Sequence, residues 1–131
     1  MSTQPTIGDR IMEAMGHIDT LGWARYTRHN NSGGLAEYPV NAVCALGAVE
    51  CTFGIKDNFR DGTGERSIHK DEFKAIVKQL AEHVPVRIPS HISDEDSDIV
   101  TVVSYNNRVI KGVEEMRTWF TKAALDAGIT V

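Results

Sequence analysis

The sequence predicts a mainly α-helical fold, a compact bundle of four to five helices with one small β-hairpin. Three observations carry that expectation. Apolar residues recur at helical spacing in several separate stretches. Residues that cap or break helices punctuate those stretches at their ends. One aromatic segment between the first two stretches alternates in character instead, as a strand does.

The first helix is expected over residues 6–21. Ile7, Ile11, Ala14, Met15 and Ile18 form its apolar stripe, Thr6 can cap its start, and Gly22 stands where a left-handed terminal residue is favoured. The hairpin follows. Residues 23–28 alternate around Trp23 and Tyr26, Asn30, Asn31, Ser32, Gly33 and Gly34 supply turn chemistry, and residues 35–38 return. Asn41 is the expected N-cap of a second helix over residues 42–53, closed by Gly54; it is apolar nearly all round, the mark of a buried central helix.

Residues 56–66, with Asp57, Asn58, Asp61, Gly62 and Gly64, read as a loop. Ser67 caps a third helix to His83, whose stripe is Phe73, Ile76, Val77, Leu80 and Val84. Pro85 ends it, and residues 85–89 form an extended connector because prolines stand at both ends. The segment from Ser93 opens like a helix, with Asp94, Glu95 and Asp96 at the favourable end of the helix dipole. Residues 99–103 are largely β-branched and suit a strand as well. The start signal favours a short helix, which Asn106 and Asn107 then break. A last helix spans residues 111–127, with Val113, Met116, Phe120 and Ala124 on its stripe, Trp119 and Ala123 beside it, and Gly128 at its end.

The 131 residues suit one domain, 1–131, with no repeat and no low-complexity segment. Hydrophobic residues at 41% and charged residues at 24% are ordinary for a globular chain and argue against disorder. Eighteen acidic residues against 14 basic ones give a net charge of −4, so nucleic acid is a poor first partner. No apolar run approaches a membrane span, and Met1 to Pro5 lacks the start of a signal peptide, so a cytoplasmic protein is expected. Positive charge gathers in the first half at Arg25, Arg28, His29, Arg60 and Arg66, and negative charge around 94–98.

Cys44 is the one candidate nucleophile. In the opening turn of a helix, free amide N–H groups favour its thiolate. Catalysis would need a base from His29, His69, His83 or His91, oriented by Asn106 or Asn107. The apolar helix around Cys44 favours a small core residue instead. Cys44 and Cys51 stand seven residues apart, about 10 Å along a helix, too far for a disulfide within it. No histidine pairs with either at chelating spacing, so no metal site is expected. Asp94, Asp96 and Asp98 imitate a calcium loop, but Ile99 and Tyr105 replace the required Gly and Glu. Asp57 with Asp61 fails because Phe59 occupies a ligand position. Residues 62–67 lack the ending of a phosphate loop. No cofactor is expected.

Trp23, Tyr26, Tyr38, Tyr105 and Trp119 are of the types that anchor interfaces when exposed, with Trp23 and Trp119 favoured as core. Three pieces in order then carry a resemblance: Leu21-Gly22-Trp23, Val43-Cys44-Ala45-Leu46-Gly47-Ala48, and Ser104-Tyr105-Asn106-Asn107 before a closing amphipathic helix. Together they resemble a family of small uncharacterised proteins, a domain of unknown function, from actinobacteria and their bacteriophages. That family has Trp-Asn-Asp at the third piece, so Tyr105 stands for the Trp and Asn107 for the Asp. The resemblance implies a phage or actinobacterial origin and a fold more than an activity.

The expected function is therefore a non-catalytic accessory or interaction protein, phage-encoded, binding a host or phage protein in the host cytoplasm. Trp23, Tyr26, Tyr105, Asn106 and Asn107 are its candidate binding residues, and a homodimer is compatible with the aromatic content. The alternative is a hydrolase or transferase using Cys44 with a histidine base and Asn106 or Asn107. A module sensing a nucleotide signal ranks last, having no motif.

Overall fold

The structure, a computed structural model, describes residues 6–27, 29–30, 37–54, 70–85 and 94–129. Most of these residues lie in five helices: α1 (Ile7–Leu21), α2 (Ala45–Cys51), α3 (Lys70–Glu82), α4 (Asp94–Arg108) and α5 (Val113–Ala127). The chain is mainly helical, as the periodicity predicts.

Helix α1 begins at a reciprocal cap. Thr6 Oγ1 accepts the Asp9 N–H, and the Asp9 carboxylate accepts the Thr6 N–H, each at 3.0 Å. Ile11, Ala14, Met15 and Ile18 turn inward. At its end Gly22 adopts φ 99°, a conformation that glycine takes without steric cost, and its N–H closes on the Ile18 carbonyl.

The hairpin is corrected. Among the described residues there is no strand, only two isolated bridges, and both use Val43. Trp23 pairs with it in parallel and His29 antiparallel. The reason is Tyr26, whose φ of 64° turns the chain back on itself halfway through the alternating segment. Residues 23 and 29 thereby come to flank the same position. The Val43 N–H donates to the Gly22 carbonyl and its own carbonyl accepts from Ala24. Across from it, Asn30 N–H donates to Ala42 and Asn30 carbonyl accepts from Asn41. Residues 31–36, which hold the rest of the expected turn after Asn30 and the first half of the return strand, lie outside the described residues.

The second helix also starts later than the sequence suggests. Asn41 sits at φ 70° as part of a turn, Val43 is held by the bridges and Ala42 by the Asn30 N–H, and Cys44 is the N-cap of α2. Every residue of α2 is buried, Glu50 included. Helix α3 buries Phe73, Ile76, Val77 and Leu80, with Val84 packed half-buried against the same core. Its expected cap at Ser67, the loop 56–66 and the connector 86–89 lie outside the described residues.

Helix α4 corrects the expected break. Residues 99–103 are helical, and the helix continues through Asn106 and Asn107 to Arg108. Asparagine is only a moderately poor helix former, and tertiary hydrogen bonds described below outweigh that cost. Helix α5 buries Met116, Trp119, Phe120, Ala123 and Ala124, and Gly128 caps it.

The helices share one apolar core, with α1 laid against α5 and α2, and α3 against α4. Trp119 is its polar pin. Its indole N–H donates to the Leu80 carbonyl at 2.9 Å, and its ring meets Tyr105 edge-on at 4.8 Å between centroids. Gly8 permits the close approach of α1 to the end of α5, since a Cβ there would stand 2.1 Å from the Gly128 carbonyl oxygen. Arg10 with Glu72 and Arg117 with Asp19 tie α1 to α3 and α5 at the surface. Among the described residues, no helix is long and apolar enough to cross a membrane.

Candidate functional site

Three segments meet at one fully buried side chain, Asn106 of α4. Its Oδ1 accepts the Trp23 indole N–H at 2.8 Å and the Ala45 backbone N–H at 3.0 Å. Its Nδ2 donates to the Ala24 carbonyl at 3.1 Å and to Asn107 Oδ1 at 2.9 Å. An amide offers two acceptor sites and two donor hydrogens, so Asn106 is saturated. It joins α4, the segment after α1 and the first turn of α2.

Asn107 extends the network outward. The oxygen that accepts from Asn106 also accepts the Tyr26 backbone N–H, at 2.8 Å. Tyr26 is thus held in its left-handed conformation from outside its own segment, while its side chain is 69% exposed. A non-glycine residue there costs roughly 1–3 kcal/mol and persists only where the surroundings fix it.

Arg25 occupies the other side of Trp23. Its guanidinium carbon lies 5.0 Å from the indole centroid, and Nη2 donates to the Ile110 carbonyl just beyond α4. Its Nε is enclosed and has no acceptor. Arg108 and Lys111, both exposed, flank that carbonyl along the chain.

Of the sequence-level binding residues, Trp23, Tyr26, Asn106 and Asn107 belong to this one network. Tyr105 does not. It is buried against Trp119 on another side of α4, and burial first, then Glu115, raises the pKa of its hydroxyl.

Cys44 adjoins the network through Ala45 but is only 3% exposed. Its Sγ accepts the Gly47 N–H at 3.5 Å, the bond of a helix cap. Among the described residues no histidine hydrogen-bonds Asn106 or Asn107. His83 lies against the Gln79 carbonyl and Asp126, and His69 and His91 are outside the described residues. His29, carried next to Val43, places Nε2 at 3.0 Å from Glu50 Oε1. Both partners of that pair are buried, at 2% and 0% exposure. No motif singles out Glu50, yet one signal marks it: it is the lone charge in the apolar stretch 42–53. Among the described residues no three His, Cys, Asp or Glu side chains converge as metal ligands.

These features define a small helical protein in which Trp23, Asn106 and Asn107 knit a junction between segments. The chain belongs to a family of unknown function, DUF6197, whose model matches residues 2–126. No curated protein and no solved structure matches it.

Proposed function

We propose that this chain is a non-catalytic accessory protein that binds a protein partner through the surface around Tyr26. One observation carries the reading: an exposed aromatic side chain is presented from a backbone conformation fixed by Asn107, which Asn106 holds in turn. Preorganised aromatic side chains are the usual anchors of protein interfaces, because little freedom remains to be lost on binding. The groups a catalytic reading needs are committed elsewhere. Both amides support the junction, and the thiol caps a buried helix. On the likeness of segments 21–23, 43–48 and 104–107 to proteins of actinobacteria and their phages, we take the chain to be phage-encoded and to act in the host cytoplasm.

The test compares wild type with Tyr26→Ala as bait in host lysate. The variant should fold as well as wild type and lose the captured protein. Identical recovery by both baits removes the reading; a second copy of the chain as the captured species would make the partner a homodimer. A cysteine-dependent hydrolase or transferase remains the second reading, because the Gly47 N–H on Cys44 Sγ is an arrangement that favours thiolate. Iodoacetamide labelling separates the two. We expect Cys44 to stay protected until the protein unfolds, whereas labelling of the native protein with a midpoint well below about 8.5 supports the nucleophile.

A further inference from the structure

Among the described residues, the arginine and lysine side chains close to Tyr26 and Asn107 in the chain are not neutralised by ion pairs. Arg25, Arg108 and Lys111 make no ion pair among the described residues, whereas Arg10 and Arg117 are paired with carboxylates. Arg25 is the most telling of the three. It is half-buried, its charge is met only by a carbonyl and an indole face, and its Nε has no acceptor. A guanidinium withdrawn from water without an anion is left electrostatically incomplete. The two other cations are each one residue along the chain from a point where the network is anchored. Arg108 follows Asn107, which holds the Tyr26 N–H, and Lys111 follows Ile110, which holds Arg25. The neighbouring carboxylate of Glu115 is turned onto the Lys111 backbone N–H at 3.3 Å.

We propose that Arg25 and Tyr26, flanked by Arg108 and Lys111, form the docking surface for an acidic segment of a protein partner. That segment carries carboxylates beside an aliphatic side chain. The proposal rests on the interaction reading above and gives its partner a chemistry. A carboxylate supplies the counter-charge that the Arg25 guanidinium lacks, and the aliphatic group packs on the Tyr26 ring. An acidic polypeptide is favoured over nucleic acid by the size of the patch. Three cations, with Glu114 and Glu115 following closely in the sequence on a chain of net charge −4, do not make the long basic track that a phosphate backbone needs.

The experiment uses defined probes with the whole ¹⁵N-labelled chain. They are a ten-residue peptide of alternating glutamate and leucine, its glutamine–leucine counterpart, and a single-stranded thymidine oligonucleotide. The glutamate peptide should shift the Tyr26 amide, the Trp23 indole N–H and the Arg25 Nε–H together, and bind at least about tenfold more tightly than the glutamine peptide. Added salt should weaken it. Arg25→Gln should lower affinity about tenfold, and Tyr26→Ala by a similar factor. Since Arg25 also supports the fold, the Arg108→Gln, Lys111→Gln double variant serves as a second test; both side chains are exposed, and affinity should fall several-fold with the thermal midpoint unchanged. Equal binding of the two peptides, no change in the double variant, or binding of the oligonucleotide alone overturns the proposal. The two failures are distinguishable. A partner lost by Tyr26→Ala but retained by Arg25→Gln and at high salt leaves the interaction reading standing and removes the acidic segment.

Discussion

Replacing Asn106 by alanine tests the junction directly. The substitution strands three groups: the Ala45 N–H, the Ala24 carbonyl and the Trp23 indole N–H. Ala24 and Ala45 are fully buried, so water does not replace the lost partner without opening the packing. An orphaned buried polar group costs about 1–3 kcal/mol, which gives about 2–6 kcal/mol for the two backbone groups. The indole is part-buried and adds less. A value near 4 kcal/mol is a large share of the roughly 5–15 kcal/mol that stabilises a typical domain. For a chain of this size it should lower the thermal midpoint by roughly 10–20 °C. Urea unfolding followed by circular dichroism measures the loss, with the slope against denaturant checked for constancy. Asn106→Asp serves as the companion, because it keeps the size while replacing the donor to Ala24 by a second acceptor. It should be no better than alanine at neutral pH. A loss below about 1 kcal/mol for Asn106→Ala would refute the saturated-amide account, since that equals one ordinary exposed hydrogen bond.

Asn107→Asp should be nearly neutral in stability and leave the Tyr26 amide resonance in place, because only Oδ1 is used and both its partners are donors; Asn107→Leu should shift that resonance. Glu50→Ala should cost about 1–3 kcal/mol in urea unfolding, because it removes a buried hydrogen-bond partner of the His29 Nε2. The Arg117 hydrogen bond holds the Asp19 carboxyl below its usual range, so the pair's contribution is complete above the unfolded carboxyl value and is lost as pH falls through the folded one. Asp19→Asn should therefore be slightly less stable than wild type at neutral pH and converge with it under acid, in thermal melts across pH. Tyr105 has the opposite sense. Its raised pKa means stability is lost as pH climbs above the ordinary tyrosine value, and Tyr105→Phe should flatten that alkaline limb.

The sequence made the apolar stripes plain, because Ile11 to Ile18 and Phe73 to Leu80 obey a local spacing that packing only confirms. What it hid was decided over long distances. Residues 23–28 alternate like a strand, but the amide that turns Tyr26 out of extended geometry lies 81 residues further along the chain. Asn41 is a better cap by type than Cys44, yet bridges from both sides hold Val43 extended and push the helix start onward. Asn106 and Asn107 look like helix breakers because their favourable bonds are all to other segments or to each other. Among five histidines, nothing local selects His29 for burial; the cue sits on its partner, a lone Glu in an apolar helix.

The reach of the Asn106 amide also bears on the order in which the chain acquires structure. Its bonds to Trp23 and Ala45 span 83 and 61 residues, so they close large loops and return little until both ends are already near. Local helices such as α1 and α3 can form and dock first, with the junction locking late. Mutations at Asn106 should then mainly accelerate unfolding and leave the refolding limb of a chevron almost unmoved. The surface that Tyr26 presents would be the last part of the molecule to mature and the first to be lost.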